Sequence, residues 1–222
     1  MKTTEKLQLE YPHIWDKLVG HPFVIGLGTG DLPNEKFQFY VKQDYYFLIQ
    51  YSRVLALAAA KSPSVTVIRE FADLLTETIT VEMDLHRSSC QGFGVSLEDL
   101  DNVIPAPITL AYTDYLLRVA YEGNLIDIIA TLLPCQWGYN ETGLYLKKVG
   151  DNTDDNPYLP WINMYSSKEF TDFVDWLKEL LNSLTVGIDE KTMGKLYDHF
   201  LTSTRYEYLF WEMAYSSQDW PI

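Results

Sequence analysis

Pro134-Cys135-Gln136-Trp137-Gly138-Tyr139 sits inside a segment, Asn124 to about Val149, whose apolar spacing reads as one long helix. The proline supplies no backbone N–H, so the carbonyl of Ala130 loses its helical partner, and the ring crowds that carbonyl. The stretch therefore predicts a helix that bends or breaks where the thiol of Cys135 sits. A cysteine at such an irregularity is easier to present to a small molecule than one within a packed turn. Free cysteine is also among the most buried residue types, and the alternative is an inert core thiol.

Helical periodicity continues on both sides, and strand-like alternation is nearly absent. Upstream, Leu7, Tyr11, Ile14, Trp15 and Leu18 share one face of a segment from about Thr4 to Val19. His21 to Pro33 reads as a loop, with Gly26-Leu27-Gly28-Thr29-Gly30 as an ordinary turn, lacking the strand and the lysine of a phosphate loop. Asn34 caps a helix to about Lys61, and Ser64 caps one that reaches His86 or beyond. A loop from 92 to 109 leads to a helix from Ile108 to Glu122. Past Val149, helices are expected over Lys168 to Leu184 and Asp189 to Tyr215. No linker or repeat divides the chain, so residues 1–222 read as one all-α domain.

Composition narrows the function classes. The 222 residues are 47% hydrophobic and 14% aromatic, with 16 tyrosines and 6 tryptophans, enough for a large core and an aromatic pocket or interface. A net charge of −14 argues against nucleic acid or anionic lipid as partners. Two cysteines make no disulfide scaffold and fit a reducing compartment. The polar start, Met1 to Tyr11, is no signal peptide, and no stretch approaches the ~20 apolar residues of a membrane span. The expectation is a soluble, cytoplasmic protein.

Three helices put polar groups among core-type residues. Asp44, Phe47 and Tyr51 share a face at spacings of three and four. Cys135 and Tyr139 lie four apart, and Tyr206-Glu207-Tyr208-Leu209-Phe210-Trp211 embeds Glu207 in aromatics. A carboxylate in apolar surroundings holds its proton more tightly unless paired, which suits a general acid or base. Either carboxylate alone is better explained as a buried partner of tyrosine hydroxyls or of Arg53 and Arg205. A thiol with two embedded carboxylates makes a nucleophile, an acid/base and an anchor for a polar heterocycle.

Gln43-Asp44-Tyr45-Tyr46-Phe47, Leu132 to Tyr139 and Tyr206 to Trp211 resemble the TenA family, also called thiaminase II. His21-Pro22-Phe23, Glu82-Met83-Asp84-Leu85-His86 and Trp161-Ile162-Asn163-Met164-Tyr165 fit the same pattern, in order, from near residue 10 to Trp220. The resemblance implies a haem-oxygenase-like helical bundle without haem or other cofactor, assembled as a homotetramer. It implies hydrolysis of aminopyrimidines in thiamine salvage: aminomethylpyrimidine to hydroxymethylpyrimidine and ammonia, or thiamine to hydroxymethylpyrimidine and thiazole. By position Cys135 would be the nucleophile and Glu207 the proton shuttle. Asp44 would hold the 4-amino group, and Phe47, Tyr112, Tyr139 and Tyr165 would line the pocket. The family often has tyrosine where Phe47 stands, so the hydroxyl that would support the thiol must come from elsewhere or be missing.

Two other classes compete. A di-metal oxidase on a helical scaffold needs several converging carboxylates and histidines. Glu82 and His86 are the one pair with attractive spacing, and a buried hydrogen-bonded pair explains them better, so no metal is expected. A non-catalytic regulatory protein would leave the thiol, carboxylates and aromatic lining without a joint purpose.

Overall fold

Prolines and small capping side chains set most of the helix starts. The structure, a computed structural model, describes residues 1–10, 12–83, 87, 90 and 92–222. In chain order its helices are α1 (Thr3–Glu10), α2 (Pro12–Val19), α3 (Pro22–Thr29), α4 (Asn34–Ala60) and α5 (Val65–Glu77), which passes into a π segment (Thr78–Glu82). Next come α6 (Leu97–Asp101), α7 (Pro107–Glu122), α8 (Leu125–Val149), α9 (Leu159–Tyr165), α10 (Lys168–Leu184) and α11 (Glu190–Ser216). No strand occurs among the described residues, and the all-α expectation holds.

The chain forms two compact units. The first comprises Met1–Pro33 and Ile129–Tyr215, and the second Asn34–Ile128 with Ser216–Ile222. Within the first, α2 packs on α3, α3 on α9, α9 on α10, and α1 on α10. The Asn182 side chain fastens α1 to α10 by accepting the Thr4 N–H at 3.0 Å. Within the second, α4 is the central element, in contact with α5, α6, α7 and the π segment. Its buried face carries Phe37, Tyr40, Val41, Phe47, Leu48, Tyr51, Val54 and Leu55, spaced for one side of a long helix. The C-terminal segment is held to this unit by the Trp220 indole, which donates to the Pro105 carbonyl at 3.0 Å.

Several expectations need correction. The segment from Thr4 to Val19 is two helices, because Pro12 cannot continue α1 and opens α2 instead. The expected loop from His21 to Pro33 contains α3, started by a histidine cap and Pro22. Gly26 to Thr29 are therefore helical, and only Gly30, at φ 76°, takes the left-handed C-terminal position. The 92–109 loop contains α6, held by a capping box in which Ser96 Oγ accepts the Asp99 N–H at 3.1 Å and Asp99 accepts the Ser96 N–H at 2.9 Å. Helix α9 was not expected at all: seven residues are too few to show a period. Ser64 does cap α5, which passes at Thr78 into the π segment; Met83, Arg87 and Cys90 beyond it are helical, and His86 itself lies outside the described residues.

Pro134 does not break α8 either. Every residue from 127 to 140 is buried, so packing on all sides holds the helix through the proline. Farther along, Gly143 lets α8 and α9 approach: a Cβ there would stand 2.6 Å from the Tyr165 carbonyl carbon and 2.8 Å from the Ser166 nitrogen. Backbone atoms cannot swing aside as a side-chain tip can. Gly143→Ala is expected to destabilise by about 1–3 kcal/mol, read as a lower urea midpoint, despite alanine's better helix propensity. An unchanged or raised midpoint would contradict this close approach.

Candidate active site

The candidate residues fall into two groups, one in each unit. In the first unit α8 presents Cys135 and Tyr139 one turn apart, 7% and 6% exposed. The Gln136 side-chain amide donates to the Cys135 sulfur at 3.7 Å. Tyr139 is the hub of an aromatic cluster: its ring lies 4.8 Å from Tyr165, 5.0 Å from Trp211 and 5.7 Å from Trp161. Trp161 and Tyr165 pack at 4.6 Å on α9. Glu207 and Trp211, one turn apart on α11, are 4% and 2% exposed.

Asn140 positions this group. Its side-chain amide donates to the Tyr165 carbonyl at 3.0 Å and to the Thr171 hydroxyl at 2.9 Å, tying α8 to α9 and α10 beside the rings. Neither Asn140 nor Trp161 stood out as a site residue from sequence. The available signal was a mostly apolar, buried-type helix carrying a few polar side chains, Asn140 among them.

In the second unit Asp44 (4% exposed) accepts a hydrogen bond from the Tyr40 hydroxyl at 3.3 Å, the tyrosine partner that the more conservative sequence reading named. Phe47 stacks on Tyr51 at 6.0 Å and meets Tyr112 at 5.3 Å. Next to Asp44, the Gln43 side chain accepts the Ala106 N–H at 2.8 Å and donates to the Ile104 carbonyl at 3.1 Å, fixing the approach to α7. Cys90 is also in this unit, fully buried. Burial pushes its thiol up to about 11, the Asp44 charge adds to the rise, and Lys42 opposes it.

The structure thus joins Tyr139 to Tyr165, Phe47 to Tyr112, and Asp44 to Tyr40. Chemically, the first group offers a thiol and a water-shielded carboxyl beside aromatic faces suited to a flat heterocycle. The second offers a carboxyl with rings on the same helix. Among the described residues no three His, Cys, Asp or Glu side chains gather as metal ligands, and His86 of the Glu82/His86 pair lies outside the described residues.

Known proteins resemble the chain along nearly its whole length. The TENA/THI-4/PQQC family profile matches residues 10–217. A protein of Halalkalibacterium halodurans named aminopyrimidine aminohydrolase is 44% identical over 207 residues, 93% of this chain and 92% of its own. One of the same name from Helicobacter pylori is 36% identical over 98% of this chain and 100% of its own. The solved TenA homologue of P. horikoshii OT3 superposes with a TM-score of 0.88 at 34% identity, covering 97% of this chain and 99% of that one. A Shewanella denitrificans domain with a heme oxygenase-like fold reaches a TM-score of 0.73 at 15% identity, covering 96% of this chain and 92% of its own, a likeness of fold alone.

The burial of Cys90 can be read by alkylation. With its thiol pushed up to about 11, Cys90 at pH 8 is thiolate in only about one molecule in a thousand. Peptide mapping after brief iodoacetamide treatment of the native protein is expected to leave Cys90 unmodified and to label it after unfolding. Native labelling of Cys90 would contradict its burial.

Proposed function

Since this chain belongs to the TENA/THI-4/PQQC family, we propose that Cys135 and Glu207 carry its chemistry and that Asp44 orients the substrate. The protein is a hydrolase of aminopyrimidines in thiamine salvage. One observation carries this: 44% identity, over 92% of its length, to a protein named aminopyrimidine aminohydrolase.

In the proposed reaction the Cys135 thiolate adds to the pyrimidine ring and interrupts its aromaticity. The ring electrons then expel the substituent from the exocyclic methylene carbon. Water takes its place, the thiol departs, and aromaticity returns. One water is consumed and one amine, or thiazole, is released. Glu207 delivers a proton to the ring nitrogen or the leaving group and recovers one from water. Asp44 accepts from the 4-amino group, while Phe47, Tyr112, Tyr139 and Tyr165 bind the flat ring. The burial of both carboxyls and the aromatic neighbours of Tyr139 support these roles. Phe47 has no hydroxyl for the thiol; the Gln136 amide, at 3.7 Å from sulfur, is a donor in this chain that can favour the thiolate.

The reading includes a cytoplasmic homotetramer that acts as one domain over residues 1–222, with no nucleic acid partner and no cofactor. Among the described residues no helix is long and apolar enough to cross a membrane. Neither Cys90 nor Cys135 is in a disulfide. On α5 and the π segment, Val65, Ile68 and Ile79 stand 72%, 41% and 47% exposed, with Ala72 and Leu75 completing a stripe spaced by threes and fours. Such a stripe suits burial against another helix.

The deciding experiment measures ammonia and hydroxymethylpyrimidine from aminomethylpyrimidine, with thiamine in parallel. Cys135→Ala and Cys135→Ser are expected to lose at least ~1,000-fold in kcat, and Glu207→Gln about 100- to 10,000-fold, while folding normally. Turnover that survives both cysteine substitutions removes Cys135 as nucleophile. Ile68→Glu with Ile79→Glu is expected to reduce the assembly size seen by light scattering; an unchanged size would exclude this stripe as an interface.

A further inference from the structure

His21 precedes Pro22, and its side chain is 1% exposed. Pro22 opens α3 without an N–H, so the first free donor of that helix belongs to Phe23. The Nδ1 of His21 accepts that N–H at 3.1 Å. An imidazole nitrogen that accepts carries no proton, which places the ring proton on Nε2. There it faces Glu212 Oε2 of α11 at 3.1 Å and is donated to it. One neutral ring therefore ties the start of α3 to α11. Tyr208 and Tyr215 meet the same ring edge-on, at 5.2 and 6.0 Å.

The consequences run toward Cys135. Phe23, whose N–H is capped, stacks on Trp211 at 5.2 Å with the planes 19° apart. Trp211 in turn backs Tyr139 at 5.0 Å, one turn from Cys135. Glu207 lies one turn before Trp211 on α11. We propose that His21 is a positioning residue: its two hydrogen bonds fix Phe23 against Trp211, and so set the Tyr139 ring and the α11 turn that bears Glu207. This rests on the reading of Cys135 and Glu207 given above, and adds to it a side chain that touches no substrate.

The clamp has a protonation limit. Of the groups shown facing the ring, Glu212 brings a carboxylate from α11, and Tyr208 and Tyr215 of the same helix bring phenol rings. Burial holds the imidazole below its ordinary value, and Glu212 pulls the other way. Protonation would put a second N–H at Nδ1, pointing at the N–H of Phe23. The clamp is whole above the His21 pKa and is lost as pH falls through it. Removing the Glu212 charge must move that point to lower pH.

The test follows aminomethylpyrimidine turnover from about pH 5 to about pH 9 in wild type, His21→Asn, His21→Gln and Glu212→Gln. Asparagine keeps an acceptor near Nδ1 and loses the reach to Glu212; glutamine does the reverse. Both are expected to fold and to lose at least about tenfold in kcat, with KM moving less than about threefold. The acid limb of the wild-type profile should disappear in His21→Asn and shift to lower pH in Glu212→Gln. Nitrogen NMR should show the Nε2-protonated ring in wild type without substrate. Folded His21 variants with kcat within twofold of wild type, an Nδ1-protonated ring, or an acid limb unmoved by Glu212→Gln would each overturn the proposal. The last of these decides the matter even if the His21 variants do not fold. Wild type without Cys135-dependent turnover would overturn the proposed function and this inference together; active wild type with unaffected variants overturns this inference alone.

Discussion

The burial of α8 on every side from Asp127 to Asn140 is the constraint on which the first unit depends. Its sequence is poor helix material, with Pro134 in the middle and Gly138 and Gly143 beyond it, which together weaken an isolated helix by about 5 kcal/mol. Neighbours must hold it, and they do: every residue from 127 to 140 is buried, and Asn140 binds both α9 and α10. The consequence for chemistry is rigidity. Cys135 and Tyr139 project from a helix that is packed all round, so their relative placement follows from backbone geometry and not from a loop.

Much of this was legible in the sequence for one reason: long helices with one buried face repeat their pattern often enough to be seen. Asn34 to Ala60, Pro107 to Glu122 and Lys168 to Leu184 were expected within a residue or two. What escaped were helices of five to eight residues, α3, α6 and α9, where capping outweighs periodicity. Pro134 misled in the opposite direction, since local preference predicts a break and tertiary packing overrides it.

The site was legible in composition and less so in detail. Embedded carboxylates and a thiol among aromatics announced chemistry, and Asp44, Glu207 and Cys135 are indeed buried. The Tyr40 bond to Asp44 and the pairing of Phe47 with Tyr112 follow from three-dimensional packing. In sequence His21 stands only at the start of an expected loop, before proline. Only its ring contacts reveal that the anchored partner is the helix bearing Glu207. The π segment had no sequence signal at all, because one extra residue per turn leaves no mark in residue type.

Gly143 has one more consequence. Because α8 and α9 meet there backbone to backbone, no gap remains for the helices to close. Trimming Tyr165 therefore cannot be answered by sliding the helices together, as happens between elements separated by side chains. A smaller residue at that position would leave an open volume against Tyr139 and Trp161, of the shape the lost ring had. For an engineer seeking to admit a bulkier pyrimidine, Tyr165 is then a position where removed atoms become usable space, and Gly143 is the spacer that keeps it open.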